Sequence, residues 1–337
     1  MRSIEICAGA GGQALGLEQA GFEHAALVET DPDACATLRL NRPRWDVVEG
    51  DVGGFSAASY KGVDLLAGGV PCPPFSAAGK QLGRRDERDL FPEALRLVGE
   101  CDPRAVMLEN VRGLFDPKFS SYRNEIIRRL ENLGYACFWD VFNACDYGVP
   151  QLRPRSVLVA LKHEHAKYFS WPVVNAAPPQ SVGRTLLGEM SRGGWPGAAE
   201  WALAAKGIAP TLVGGSKKHG GPDLGPTRAR LDWEKLGVDG RSIADEPPFP
   251  DFVGMPKLTV KMAALIQGFP PEWMFSGKKT AAYKQVGNAF PPPVAKAMGR
   301  SIVGALKNES TALVRAGRLP AQKRLFPAEP PSKSLAR

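Results

Sequence analysis

The sequence predicts an α/β protein, a doubly wound sheet with helices on both faces that carries a smaller, loop-rich second domain. Three observations predict it. Short apolar strands alternate with helical segments through the first half of the chain. A glycine-rich turn joins the first strand to the first helix. Beyond Trp171 the pattern breaks into Gly- and Pro-rich text, and helical spacing returns near Lys257.

SIEIC reads as the first strand and AGAGG as a tight turn; Ala14, Leu15, Leu17 and Ala20 then recur at helical spacing until Gly21 stops them. HAALVE is the second strand, and a helix opens at Asp31-Pro32 and runs to about Asn41. The alternation continues through DVVEGD, VDLLAGG, the amphipathic FPEALRLVGEC, AVMLEN, the helix YRNEIIRRLENLG, and then ACFWDVFNAC and SVLVAL. Such grammar implies a mostly parallel sheet covered on both faces. From Pro172 to Lys257, including GGSKKHGGPDLGPTRAR, few clean periods survive. KMAALIQGF and PPPVAKAMGRSIVGAL are helical again, the second opening on prolines, where a missing N–H costs least. The expected boundaries are 1–172 for the main domain, 173–257 for the second, 258–307 for a return to the first, and 308–337 for a basic, disordered tail.

At 337 residues the chain can bury a sizeable core. A formal net charge of +8 and a pI near 9.2 favour a polyanionic partner such as nucleic acid over an acidic protein or a small metabolite. Six cysteines without a CxxC pair, and four scattered histidines, point to reduced thiols and away from a disulfide framework or a zinc site; no metal is expected. MRSIEICAGAGG lacks the apolar core of a signal peptide, and no stretch approaches the roughly 18 apolar residues of a membrane span. The expectation is a cytoplasmic protein.

Gly9, Gly11 and Ala14 satisfy G-x-G-x-x-G/A between a strand and a helix, where glycines let a nucleotide-bearing ligand approach the backbone. Glu29 ends the second strand, where a carboxylate can accept from both ribose hydroxyls, and Asp51 ends the third as a further contact or as a helix cap. Together they indicate an adenosine-containing cofactor without separating NAD from S-adenosylmethionine. In GGVPCPPFS, prolines 71, 73 and 74 fix three φ angles around Cys72, so its thiol is aimed at the same crevice. Taken alone, the stretch fits a nucleophile and a small buried hydrophobe equally. AVMLENV sets Glu109 and Asn110 at a neighbouring strand end, where desolvation raises a carboxyl pKa and lets it hold a proton for a ring nitrogen. QLRPRSVLVAL places Arg153 and Arg155 on one side of an extended segment, with forks suited to phosphate, carbonyl or carboxylate.

In order, CAGAGGQALGLEQAGF, ALVETDP, GDV, GGVPCPPFS, ENV, QLRPR, LIQGFP and QVGNAFPPPVA resemble the motif series of the bacterial DNA (cytosine-5)-methyltransferases. The resemblance covers most of the chain outside 173–255 and the tail, and it implies a methyltransferase-type (Rossmann-like) sheet with a target-recognition domain. It implies that Cys72 adds to C6 of a cytosine flipped out of double-stranded DNA, that Glu109 engages N3 and the exocyclic amine, and that Arg155, helped by Arg153, holds the base carbonyl and backbone. S-adenosylmethionine then supplies the methyl group to C5. The cofactor contacts carried over are Ala8, Gly9, Ala10, Gly11 and Gly12, Glu29 with Thr30, Asp51 with Val52, Pro71, and Asn288. The segment AAGKQLGRRDERDLF resembles the family's mobile catalytic loop, with Lys80, Arg84, Arg85 and Arg88 placed to meet phosphates. Thr211-Leu212 resembles the dipeptide of the family's recognition domains, and Lys217, Lys218, His219, Arg228 and Arg230 are candidate DNA contacts. Two departures stand out: Cys7 replaces the family's phenylalanine and Pro73 its glutamine. A monomer is expected, with a cognate restriction endonuclease acting separately as a further partner. Rival readings are a transfer-RNA methyltransferase of the same fold, an NAD-dependent oxidoreductase, and a DNA-binding protein without catalysis.

Overall fold

The computed structural model describes residues 1–71, 89–174, 177–214 and 222–308. The first half alternates strand and helix except between β3 and β4, where only two 3-10 turns intervene: β1 (Arg2–Ile6), α1 (Gly12–Ala20), β2 (Glu23–Glu29), α2 (Pro32–Asn41), β3 (Val47–Glu49), β4 (Leu65–Gly68), α3 (Phe91–Cys101), β5 (Ala105–Val111) and α4 (Ser120–Asn132). Then come β6 (Tyr135–Asn143), β7 (Pro154–Lys162) and the short α5 (His163–Ala166). The seven strands form one sheet in the order β3-β2-β1-β4-β5-β7-β6. All pairings are parallel except those of β7, which runs against both β5 and β6.

The strands are short apolar runs because both sheet faces are covered. On β1, Ile4 and Ile6 are buried on one face while Ser3 and Glu5 are buried on the other. Helix α2 starts where the sequence indicates: the Asp31 carboxylate accepts from the amides of Asp33 and Ala34, and Pro32 occupies the first turn. The last helix, α11 (Pro292–Leu306), lies against α1 so closely that a Cβ on Gly16 would sit 2.4 Å from the Pro292 carbonyl oxygen. That contact brings α11, the last helix among the described residues, back beside α1.

The segment 173–257 is loop-rich as expected, and within it the structure adds α6 (Val182–Ser191), α7 (Ala198–Ala204) and α8 (Thr227–Glu234). Gly and Pro residues around these helices obscure their periods in the sequence. Two more helices, α9 (Val260–Gln267) and α10 (Lys279–Asn288), precede α11. One hydrophobic cluster runs from Val182, Leu186, Trp201, Leu212 and Trp233 into Met262 and Ile266 of α9 and Tyr283 and Val286 of α10. Only α11 joins the core behind the sheet, where Val294, Met298 and Ile302 meet Leu17, Met107 and Val159. The stretch between α9 and α11 also holds to the main domain: Trp273 donates to the Ala10 carbonyl at 3.2 Å, the Met274 amide to Asn41 at 2.9 Å, and Thr37 to Gln285 at 2.6 Å. Periodicity identifies a helix but not the core it joins. Among the described residues, no helix is long and apolar enough to cross a membrane. The tail expected from 308 lies, beyond Asn308, outside the described residues.

Candidate active site

The strand order reverses between β1 and β4, because the chain winds outward through β2 and β3 and then crosses to β4 on the other side. Ligands of open α/β sheets bind beyond the strand ends at such a switch. Here they enclose a cavity of about 560 Å³, within the usual range for a small-molecule site. The β1 turn gives Ala8, Gly9, Ala10 and Gly12 to the wall; β2 gives Glu29 and Thr30; Asp51 and Val52 follow β3; Gly69 and Pro71 follow β4; and β5 gives Glu109. Asn288, Ala289 and Phe290, between α10 and α11, close it.

Of the expected cofactor contacts, Gly11 alone is absent from this wall. It adopts φ +84° at the start of α1, and a Cβ there would meet Leu38 at 2.7 Å, so this glycine serves the turn and its packing. At Gly9, with φ +53°, a Cβ would meet nothing within 4 Å. The Glu29 carboxylate fixes the crevice floor: Oε2 accepts from the Gly9 amide at 2.7 Å, and Oε1 accepts from the amides of Thr30 at 2.9 Å and Asp31 at 2.8 Å. A carboxylate oxygen with one protein donor keeps acceptor capacity for a hydroxyl. Asp51 uses Oδ1 to accept from Gly53 at 2.7 Å, capping a short 3-10 turn. Cys7, the departure from the family pattern, also lines the cavity, at φ +52°. Burial, followed by Glu29, Asp51 and Glu5, pushes its thiol up to about 12.

Glu109 is 8% exposed. Val111 pairs with Arg155 across the antiparallel β5–β7 ladder, which sets Arg155 diagonally from Glu109 on the same face. The Arg155 Nε lies 2.8 Å from Glu109 Oε1, and Oε2 faces Gly69, where a Cβ would approach it to 3.4 Å. Burial raises the Glu109 pKa, opposed first by Arg155 and then by Arg153. Next to it, the Asn110 amide donates to the Val70 carbonyl at 2.8 Å, holding the chain just before Pro71. The Leu90 amide reaches the Pro71 carbonyl at 3.4 Å. Cys72, Lys80, Arg84, Arg85 and Arg88 lie outside the described residues, between two points that meet beside Glu109's cavity.

Arg153 corrects an expectation. It is 0% exposed, and its guanidinium donates to the carbonyls of Leu212 at 2.6 Å, Gly287 at 2.7 Å and Ala289 at 3.0 Å. Those carbonyls take up the fork, so Arg153 clamps three chain segments behind the wall while Arg155 alone pairs with Glu109. Thr211 is half-exposed, and its hydroxyl donates to the Leu152 carbonyl at 2.5 Å. The Leu212 amide donates to Gln151 Oε1 at 2.8 Å, so this dipeptide docks the second domain onto the start of β7. Arg228 is exposed and Arg230 half-buried on α8. Lys217, Lys218 and His219 lie outside the described residues.

The sequence reading missed Glu5, Gln13, Lys284 and Phe290, all of which line the cavity. Glu5 carried a signal, for it is the lone acid inside an apolar strand of a buried sheet. Gln13 and Lys284 carried none, because their place depends on how α1 and α10 meet.

Carboxylates at the ends of β2 and β3, open space at Gly9 and unpartnered buried polar atoms on Glu5 and Gln13 fit an adenosine-bearing methyl donor. Sheet order and cavity together define an α/β enzyme of the methyltransferase fold. The family model described as C-5 cytosine-specific DNA methylase matches residues 1–192 and 222–304, and the chain belongs to that family. It is 56% identical over 317 residues to the Type II methyltransferase M.NgoMIV of Neisseria gonorrhoeae, covering 91% of this chain and 99% of that one. It is also 56% identical over 319 residues to M.NaeI of Lentzea aerocolonigenes, covering 93% and 77%. Among solved structures, a DNA modification methyltransferase encoded in an Escherichia coli prophage superposes with a TM-score of 0.64 at 23% identity, covering 91% of this chain and 99% of that one. The protein is therefore a DNA cytosine-5-methyltransferase, and the nicotinamide reading falls away.

Proposed function

We propose that the enzyme transfers a methyl group from S-adenosylmethionine to C5 of a cytosine flipped out of a specific double-stranded DNA sequence, through a covalent bond between Cys72 and C6. The observation that carries this reading is Glu109, a buried acid held by Arg155 at 2.8 Å on the wall that also presents Glu29 and Asp51. Bound S-adenosylmethionine supplies an electrophilic methyl group. Cys72 attacks C6 as a thiolate, and the displaced π electrons run toward C5 and N3, where the Glu109 proton meets them. Arg155 keeps that carboxyl oriented. Once C5 carries the methyl group, loss of the C5 proton to a base re-forms the C5–C6 double bond and expels the Cys72 thiolate, and N3 returns its proton to Glu109.

Cysteine chemistry supports the choice of nucleophile. Burial pushes Cys7 and Cys101 to about 12, Cys137 likewise, and Cys35 to about 11; Cys145 is also raised, so none of the described cysteines has thiolate character near neutral pH. Reaching C6 requires the base to leave the duplex, at a price of a few kcal/mol, which DNA contacts from Arg228, Arg230 and the basic residues outside the described segments offset. We read the chain as the modification arm of a Type II system.

Expression in a host lacking 5-methylcytosine, followed by base-resolution methylation sequencing, tests the reading. New 5-methylcytosine in one sequence context is expected; transfer to RNA and not to duplex DNA would move the substrate to transfer RNA. Cys72→Ala is expected to reduce methyl transfer to background while S-adenosylmethionine binding stays intact, and undiminished turnover in that variant removes Cys72 from the mechanism.

A further inference from the structure

Helix α8 presents one side to solvent and is anchored by the other. Its Trp233 is fully buried, in the cluster that also holds Leu212, Leu224 and Val238. At 3.6 residues per turn, its exposed residues Thr227, Arg228, Leu231 and Glu234 fall on the side away from that anchor. Arg230 turns back toward the body, where a Cβ on Gly240 would meet its side chain at 3.2 Å, and it donates to the Thr227 hydroxyl at 3.4 Å. Other cations of this domain are matched: Arg192 pairs with Glu189, Lys235 with Asp232, and Arg241 and Lys257 with Asp239. Among the described residues Arg228 feels only the field of Asp232, whose carboxylate is bonded to Lys235 at 2.7 Å.

The helix stands beside the catalytic crevice. Gly225, two residues before it, lies under Val213, which a Cβ there would meet at 3.4 Å. The neighbouring Gly214 leaves no room for a Cβ against Asn288, which lines the cavity. Thr211, at the other end of this strip, holds the Leu152 carbonyl, three residues before Arg155, the partner of Glu109. One strip, 211–214, thus separates α8 from the cavity and from the buried acid. Resting on the duplex-methylation reading above, we propose that α8 enters the major groove beside the flipped cytosine and that Arg228 reads a guanine there, donating through its fork to N7 and O6. An α-helix with its side chains is about 10–12 Å across and the major groove about 12 Å wide, so the helix fits. The two-pronged contact to N7 and O6 is what tells guanine from the other bases. Leu231, one turn on and 52% exposed, has no use at a phosphate rail but suits the apolar edge of a pyrimidine. An arginine without a bonded carboxylate keeps its donors for a base, and Trp233 fixes the helix that aims it.

The test is Arg228→Lys, which keeps the charge and loses the fork. Wild type and variant are compared by base-resolution methylation sequencing in a host lacking 5-methylcytosine, then by single-turnover rates on duplexes changed at one base pair. The variant is expected to admit other pairs at one G·C position of the wild-type context, losing about 5- to 150-fold in discrimination there and little elsewhere. Its DNA affinity is expected to keep the wild-type salt slope, because the charge is retained. A wild-type pattern in the variant, or an equal loss at every position, would overturn the assignment; so would a lowered melting temperature, which would make Arg228 a support of the fold. Wild-type enzyme that leaves no mark at all would instead sink the methyl-transfer reading itself.

Discussion

Glu5 makes the stability of the ligand-free enzyme depend on pH. Burial, and then the charge of Glu29, hold its pKa well above the ordinary glutamate value. Folded protein therefore keeps a proton that the unfolded chain releases near about pH 4.3. Stability is full below that value and falls as pH rises toward the folded pKa. Glu5→Gln is expected to flatten this slope and to raise the urea midpoint at neutral pH, and a variant that keeps the wild-type slope would assign the dependence elsewhere. At this scale Glu29, Asp51 and Glu109 were legible, because a strand end in an alternating α/β pattern already says where its side chain goes. Arg153 was not. Its acceptors lie 59, 134 and 136 positions away in sequence, and nothing local distinguishes a clamp from a base contact.

At the scale of elements, two arginines flank Pro154 at the start of β7, and the fold separates them by task. Arg153→Ala leaves the carbonyls of Leu212, Gly287 and Ala289 without their donor, and is expected to cost about 3 kcal/mol or more of stability in urea denaturation. Arg155→Ala is expected to remove turnover at a smaller loss of stability, because burial already raises the Glu109 pKa and the acid left behind is tolerated in its neutral form. Equal losses of stability from the two substitutions would count against this division. The strands and the helices around the sheet were legible from their periods and stops. Helices α6 to α8 were not, since the Gly and Pro residues around them obscure the period. Nor could the pattern show that α9 and α10 pack with Trp201 and Trp233 while α10 also sets Lys284 and Gln285 on the cavity wall.

Over the whole molecule, a net charge of +8 meets a polyanionic substrate. DNA affinity is expected to fall linearly on a log–log plot against salt, losing about tenfold or more between roughly 50 and 200 mM as counterions are released. Fluorescence anisotropy with a labelled duplex measures this, and a flat response would show that the excess charge does not meet phosphate. The guanidinium of Arg153 joins the base of β7 to Leu212 in the second domain and to Gly287 and Ala289 at the end of α10, and the three oxygens it holds there belong to the main chain. One side-chain limit applies at Gly287, where a Cβ would lie 2.5 Å from the Gly214 amide nitrogen. The joint therefore constrains the backbone path of three segments and the size of one residue, while exposed side chains elsewhere in 173–257 can change without disturbing the mounting.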